Sequence, residues 1–184
     1  RQDDSLSYLN LGKAEFVGHP MAQTMPVDVD QSSARRQLGV APSIPVFALM
    51  PGSRVSEIDY MAPVFFQTAL LLLKRYPQAQ FLMPVATQAT HRRISKILAS
   101  AQFSNLSITL VDKQADTVCT AADVVLVTSG TATLEVALCK RPMVISYKIS
   151  PLTYAYVKRK VKVPHVGLPN ILLNKCAVPE LLQH

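Results

Sequence analysis

The stretch Val46-Phe47-Ala48-Leu49-Met50-Pro51-Gly52-Ser53-Arg54 decides the fold of this 184-residue chain. Its first five residues form a short, continuously apolar run, which is typical of a parallel strand that is buried on both faces. The Pro-Gly-Ser turn ends that strand, and a helical spacing of apolar residues begins at about Ile58. A buried strand, a glycine turn and a helix together form the first half of a βαβ unit.

The same alternation of strand and helix continues along the chain. A short helix over residues 34–38, with Ser32 or Ser33 as its N-cap and Gly39 as its stop, precedes the first strand. Further strands are predicted at 81–85, 108–111, 124–127 and 143–147, and helices at 58–75, 90–101, 112–122, 132–138 and 152–161. The sequence therefore predicts an α/β fold with a doubly wound, Rossmann-like parallel sheet over residues 27–184, after a lead-in segment over 1–26. Ligands of such sheets bind beyond the carboxyl ends of the strands.

The composition limits the classes of function. The chain carries 19 Lys+Arg against 12 Asp+Glu, a surplus that suits a phosphorylated ligand, an anionic membrane surface or nucleic acid. No zinc finger or RNA-binding motif accompanies the basic residues, which argues against nucleic acid. No apolar run reaches the ~18 residues of a membrane span. The three cysteines have no metal-ligand spacing and are predicted to be small apolar residues of the core in a reducing compartment; they are Cys119, Cys139 and Cys176.

Gly52, Ser53 and Arg54 follow the first strand and precede a helix. Glycine allows a ligand to approach the backbone closely, and a helix N-terminus offers unpaired N–H groups to an anion. The planar guanidinium of Arg54 is suited to a bidentate grip on phosphate. A tight turn with a solvated arginine is the alternative interpretation.

Ser129, Gly130 and Thr131 occupy the equivalent place after the strand at 124–127, and they form a second small, hydroxyl-rich loop. Glu135 lies about one helical turn further on, where its carboxylate would accept hydrogen bonds from a ribose diol. The alternative is that Thr131 caps the helix and Glu135 is a surface charge. Two such loops in one sheet favour a nucleotide diphosphate as the ligand.

Two polar residues outside these loops have simpler alternatives. The segment Gly167-Leu168-Pro169-Asn170 is predicted to end a short extended stretch that begins near His165, and its Asn170 would hydrogen-bond either a sugar or a neighbouring loop. The lone His19 is interpreted as structural. The residues that could ligate a metal form no recognisable cluster in the sequence, so no metal and no cofactor are predicted.

Six segments, read in order, resemble the lipid-A-disaccharide synthases, and together they span nearly all of the chain from Phe16 onward. These segments are Phe16-Val17-Gly18-His19-Pro20, Leu49-Met50-Pro51-Gly52-Ser53-Arg54, residues 128–135, Pro142-Met143-Val144 with Tyr147-Lys148, Val166-Gly167-Leu168-Pro169-Asn170 and residues 178–183.

The resemblance implies one lobe of a two-lobed GT-B glycosyltransferase, the lobe that binds the donor nucleotide. Such an enzyme transfers 2,3-diacylglucosamine from its UDP derivative onto 2,3-diacylglucosamine 1-phosphate, by inversion, without a metal or another cofactor. The resemblance also implies a cytoplasmic protein that is peripheral on the inner membrane. It implies nothing about the oligomeric state.

The same resemblance implies roles for individual residues. Gly52, Ser53 and Arg54 would hold the diphosphate, with Arg54 as the catalytic group that stabilises charge on the leaving group. Ser129, Gly130 and Thr131 would complete the anion site, and Glu135 would bind the ribose. The strand end from Tyr147 to Ile149 would lie near the uracil. The residues implied to face the donor sugar are Asn170, Glu180 and Gln183.

Three further expectations follow. This chain is expected to bind UDP without catalysing transfer, because the family's other lobe carries the proposed base. Another UDP-GlcNAc-type GT-B enzyme is the alternative within the enzymes. A non-catalytic nucleotide-binding or membrane-surface module is the alternative outside them, since Lys158-Arg159-Lys160 would suit anionic headgroups.

Overall fold

The computed structural model of the protein describes residues 28–148 and 165–182. Helices and strands alternate through this part of the chain, as predicted from the apolar runs. In chain order the elements are α1 (Gln31–Gln37), β1 (Val46–Met50), α2 (Val55–Arg75), β2 (Gln80–Val85), α3 (Gln88–Leu98), a 3-10 turn (Ala101–Phe103), β3 (Thr109–Asp112), α4 (Ala115–Ala121), β4 (Val124–Thr128), α5 (Ala132–Leu138), β5 (Met143–Tyr147), α6 (Leu168–Leu173) and β6 (Glu180–Leu182).

The six strands form one sheet in the order β3-β2-β1-β4-β5-β6, and every adjacent pair is parallel. The chain moves outward from β1 to β3 and then returns to place β4 on the other side of β1. The α/β, Rossmann-like parallel sheet predicted from the sequence is confirmed. Because the strand order reverses between β1 and β4, a crevice opens there at the carboxyl ends of the strands.

Two apolar clusters cover the two faces of the sheet. One contains Ala48, Val125 and Val127 from the strands and packs against α1, α4 and α5. The other contains Leu49, Phe81 and Met83 and packs against α2 and α3. Successive strand residues alternate between the two clusters, as the period of a pleated strand requires. Burial on both faces explains why the strands are continuous apolar runs.

An ion pair between the buried Arg35 and the partly exposed Asp123 ties α1 to the sheet. The side chain of Arg35 is 8% exposed, and its Nη2 lies 2.8 Å from Oδ2 of Asp123. The same carboxylate oxygen accepts from the backbone N–H of Val46 at 2.9 Å, and Arg35 Nε donates to the carbonyl of Ala121 at 3.0 Å. Arg35 therefore has a structural role and is not part of the basic surface.

The boundaries of the helices differ from the sequence prediction where capping decides them. Helix α1 begins earlier than predicted because Asp30, and neither Ser32 nor Ser33, is its N-cap, accepting from the backbone N–H of Ser33 at 2.9 Å. Helix α2 begins at Val55, where the carboxylate of Glu57 accepts from the backbone N–H of the N-cap residue Arg54 at 3.3 Å.

The structure also differs from the prediction after β5 and at one cysteine. The segment near Gly167 was predicted to be extended, but Leu168–Leu173 is helical, with Pro169 in the first turn as helices allow. The three-residue edge strand β6 was not predicted. Cys119 and Cys139 are buried as predicted, whereas Cys176 is exposed and its core prediction was wrong. The predicted helix at 152–161 lies outside the described residues.

No helix in the described ranges has the length and apolarity needed to cross a bilayer.

Candidate functional site

A cavity of about 720 Å³ lies at the carboxyl edge of the sheet, at the crevice between the two halves of the strand order. Its lining includes the last residue of four strands: Met50, Val85, Thr128 and Tyr147. The strand topology therefore places the cavity where a doubly wound sheet binds its ligands.

The structure brings together at this cavity every sequence-predicted nucleotide residue in the described part of the chain. These residues are Gly52, Ser53, Arg54, Ser129, Gly130, Thr131, Glu135 and Tyr147. Ile149 and Gln183 lie outside the described residues. Two loops that are about 75 residues apart in sequence meet because β1 and β4 are adjacent parallel strands that end at the same edge.

The first loop turns sharply at Gly52, whose φ is 119°. A Cβ atom at this position would lie 2.5 Å from Glu57 Oε2 and 2.7 Å from Glu57 Cβ, so only glycine fits. The side chain of Arg54 is 79% exposed and borders the cavity. Its Nη1 lies 3.2 Å from Glu57 Oε1, which leaves most of the guanidinium available to a ligand.

The second loop is held by hydrogen bonds from its own hydroxyl groups and those of α5. Ser129 Oγ donates to the carbonyl of Val166 at 3.0 Å, and Thr133 Oγ1 donates to the carbonyl of Gly130 at 2.7 Å. Thr131 occupies the N-cap position of α5, as the alternative interpretation had it, but its side chain makes no capping hydrogen bond and is exposed at the cavity. The loop is thus fixed from behind, with Gly130 and Thr131 exposed in front.

Glu135 is a half-buried carboxylate in the lining. Burial raises the pKa of its side chain above the ordinary value of 4.5, and the nearby charge of Asp116 raises that pKa further. A raised pKa favours the neutral form, and a hydrogen-bond donor that reached the carboxylate would restore the charged form. Ribose hydroxyls are donors of this kind.

The residues expected to face the donor sugar have other partners. Asn170 is fully buried, and its Nδ2 donates to the carbonyl of Val178 at 2.8 Å and to Glu180 Oε1 at 2.7 Å. Its Oδ1 accepts from the backbone N–H groups of Ala177 and Val178. The sequence left open whether Asn170 hydrogen-bonds a sugar or a neighbouring loop. The contacts of Asn170 are with a neighbouring loop, and neither Asn170 nor Glu180 lines the cavity.

Glu180 completes a small network behind the second loop. Its carboxylate accepts from the backbone N–H groups of Val166 at 2.9 Å and Gly167 at 3.0 Å. Leu168 N–H in turn donates to Thr133 Oγ1 at 3.2 Å. The segment 165–182 is therefore joined by hydrogen bonds to the loop that follows β4.

Three polar or charged residues of the lining were not predicted from the sequence. Glu57 went unassigned because the helix was predicted to begin at Ile58, yet a Glu three residues after the true N-cap is a recognised capping signal. Lys113 lies after β3 with a left-handed φ of 54° and adds a second cation to the lining. Thr128 is 5% exposed, and its Oγ1 has no hydrogen-bond partner among the described residues.

The lining combines charged side chains of both signs. It holds the cations Arg54 and Lys113 beside the carboxylates Glu57 and Glu135. Across the described ranges, no group of three or more His, Cys, Asp or Glu side chains is arranged to hold a metal ion. The groups of the lining that could contact the oxygens of an anion are backbone N–H groups, hydroxyls and the two cations.

The family model described as lipid-A-disaccharide synthetase matches residues 9–184. The chain belongs to this family. The lipid-A-disaccharide synthase of Neisseria meningitidis serogroup A is 76% identical over 173 residues, covering 94% of this chain and 45% of that protein. The Chromobacterium violaceum synthase is 56% identical over 168 residues, covering 91% and 44%. The chain thus spans less than half the length of these relatives.

A solved structure, that of Escherichia coli ADP-heptose lps heptosyltransferase II, is similar with a TM-score of 0.47 and 16% sequence identity. The similarity covers 65% of this chain and 38% of that chain.

Proposed function

We propose that this chain is the donor-nucleotide lobe of a two-lobed GT-B glycosyltransferase that makes the lipid A disaccharide. In the proposed reaction, 2,3-diacylglucosamine passes from its UDP derivative to 2,3-diacylglucosamine 1-phosphate, with inversion at the sugar and release of UDP. Membership of the lipid-A-disaccharide synthetase family supports this reaction. The single observation that carries the donor-lobe assignment is the cavity at the strand-order reversal, where Arg54 from the loop after β1 and Glu135 from α5 line one space.

The proposed roles follow from what each group offers. Arg54 supplies a planar, exposed cation for the diphosphate and stabilises its growing charge as the glycosidic bond breaks. Gly130 and Thr131 add an exposed backbone and hydroxyl surface for the same anion. Glu135 accepts hydrogen bonds from the ribose. Tyr147, at the end of β5, is proposed to contact the uracil, and the same role is proposed for Ile149.

The remaining expectations also stand as proposals. We propose that Asn170 and Glu180 act on the donor sugar only indirectly, by supporting the loop after β4. Their polar atoms hydrogen-bond within the segment 165–182, and this segment is hydrogen-bonded to that loop. Contact with an anionic membrane surface is proposed because both substrates are acylated, and the basic cluster that would make it lies outside the described residues. Transfer of sugar by this 184-residue chain alone would contradict the proposal that it only binds UDP.

Calorimetric titration of UDP into the chain, with GDP as the control, tests the proposed function. The expected result is saturable binding of UDP and binding of GDP at least tenfold weaker, because the surface beside Tyr147 is proposed to recognise uracil. Equal binding of the two nucleotides would contradict the uracil assignment. Absence of UDP binding would contradict the donor-lobe proposal for this chain.

The pKa of Glu135 predicts a pH dependence of that binding. The folded-state pKa is raised, so the carboxylate becomes protonated as the pH falls through a value above 4.5 and loses its capacity to accept both ribose hydroxyls. We expect UDP affinity to fall about tenfold across this titration, as for a lost hydrogen bond to a charged group. The free energy of unfolding changes in the opposite direction. Ionising Glu135 destabilises the folded state, so this destabilisation is absent below pH 4.5 and grows as the pH rises from 4.5 to the folded-state pKa.

The matched control for this pH dependence is Glu135→Gln, which keeps an amide oxygen as an acceptor and cannot ionise. Titration of the phosphates of UDP affects both chains equally, so the difference between their pH profiles belongs to Glu135. Identical profiles for the two chains would contradict the ribose role.

A further inference from the structure

The carboxylate of Glu57 accepts hydrogen bonds from groups of the first loop that border the cavity. Its Oε2 accepts from the backbone N–H of Ser53 at 3.0 Å and from that of Arg54 at 3.3 Å. Its Oε1 lies 3.2 Å from Nη1 of Arg54. One carboxylate thus contacts two backbone donors and one cation, which is the set of donors proposed above for a phosphate group.

This arrangement exceeds what helix capping requires. A capping box uses the N3 carboxylate to accept from the N-cap N–H alone, which here is that of Arg54. The shorter contact goes to Ser53, one residue before the cap, and the guanidinium is held as well. Gly52 makes room for the carboxylate, since a Cβ at this position would overlap it. Glu57 is 24% exposed and forms part of the cavity lining, so it is reachable by a ligand.

We propose that Glu57 is an internal occupant of the phosphate cradle, and that a diphosphate binds by exchanging with its carboxylate. The inference rests on the proposed function, because it concerns the same cavity. An entering diphosphate and the Glu57 carboxylate are both anions and need the same three donors, so they cannot be bound there together. The side chain turns away when the diphosphate arrives and returns when the diphosphate leaves.

Two consequences follow for the site. The empty cradle stays formed, because the carboxylate satisfies N–H groups that would otherwise lack a protein partner. The affinity for a diphosphate is lower than the cradle alone would provide, because each binding event must break the Arg54–Glu57 pair. Glu57 is thus a specificity-determining residue for phosphorylated ligands that also favours release of the nucleotide product.

The test is Glu57→Gln, which is nearly isosteric and keeps an oxygen to accept from Ser53 and Arg54. Glutamine also serves in a capping box, so the helix start is preserved, and a thermal melt checks this. The control is Asp59→Asn, which removes a carboxylate from the same helix and breaks its ion pair with Arg93 outside the cavity. Calorimetry measures the binding of UDP, inorganic pyrophosphate and uridine to each chain.

The expected result is that Glu57→Gln binds UDP and pyrophosphate about fivefold more tightly. This factor corresponds to the free energy of one exposed ion pair, which the ligand no longer has to break. Uridine, which lacks phosphate, should bind both chains equally, and Asp59→Asn should match the unmodified chain. Unchanged or weaker binding of UDP and pyrophosphate by Glu57→Gln would overturn the inference.

The outcomes separate this inference from the proposed function. If Glu57→Gln tightens pyrophosphate binding while UDP binds no better than GDP, the exchange stands and the donor-lobe proposal fails. If UDP binds selectively and Glu57→Gln changes nothing, the reverse holds. If neither chain binds any of the phosphorylated ligands, both proposals are wrong.

Discussion

Replacing Arg54 by alanine is expected to weaken UDP binding about 30-fold. The guanidinium is 79% exposed at the cavity and is the cation of the first loop. Charge-assisted hydrogen bonds to a phosphate contribute about 2 kcal/mol, which corresponds to a change of this size in the dissociation constant. The measurement is calorimetric titration of UDP into the two chains under identical salt conditions, because salt screens exposed charges.

Two further variants show whether the loss comes from the position and shape of the cation. Arg54→Lys keeps the charge but lacks the planar pair of donors, so it should bind UDP with intermediate affinity. Arg36→Ala removes an exposed arginine of α1 that does not line the cavity, and this chain should bind as the unmodified chain does. An Arg54→Ala chain with unchanged UDP affinity would show that the diphosphate does not contact the first loop.

The order of strands and helices could be predicted from the sequence because burial on both faces makes each strand a separate apolar run. The run Val46–Met50 and the run Met143–Tyr147 are strands with the predicted bounds. Helix starts were predicted less well, because they depend on side-chain capping that periodicity does not report. Asp30 and Glu57 are the two examples.

The candidate site was predictable only where it follows a strand end. Gly52 and Gly130 could be placed at one edge from the strand pattern and the rule for parallel sheets, and both line the cavity. Glu57 was missed because its function depends on the geometry of a turn three residues earlier. The partners of Asn170 could not be predicted, because they lie on β6 and the loop before it. Strand β6 has only three residues, too few to show the alternating pattern of a strand.

Changing Asn170 to aspartate is expected to destabilise the segment 165–182 by about 3 kcal/mol or more. The new carboxylate still accepts from Ala177 and Val178, but its second oxygen replaces a donor that lies 2.8 Å from the carbonyl of Val178 and 2.7 Å from Glu180 Oε1. Asn170 is fully buried, so this negative charge would face two acceptors without solvent. Chemical denaturation measures the global effect, and hydrogen exchange at the N–H groups of Ala177 and Val178 measures the local one.

The pH dependence of this variant distinguishes charge repulsion from loss of shape. A protonated carboxyl group can again donate one hydrogen bond, so the deficit of the Asn170→Asp chain should shrink as the pH falls, whereas that of Asn170→Ala should not. Asn105→Asp, at an exposed turn, is the matched control and should leave stability unchanged.

The same network also supports the proposed nucleotide site. Ser129 donates to the carbonyl of Val166, and Glu180 accepts from the N–H of Val166, so loosening this network should also weaken UDP binding. If the N–H groups of Ala177 and Val178 stay fully protected from exchange in Asn170→Asp, the hydrogen-bond network does not hold the segment 165–182. The loop after β4 would then have to be supported by the packing of α6 against α5.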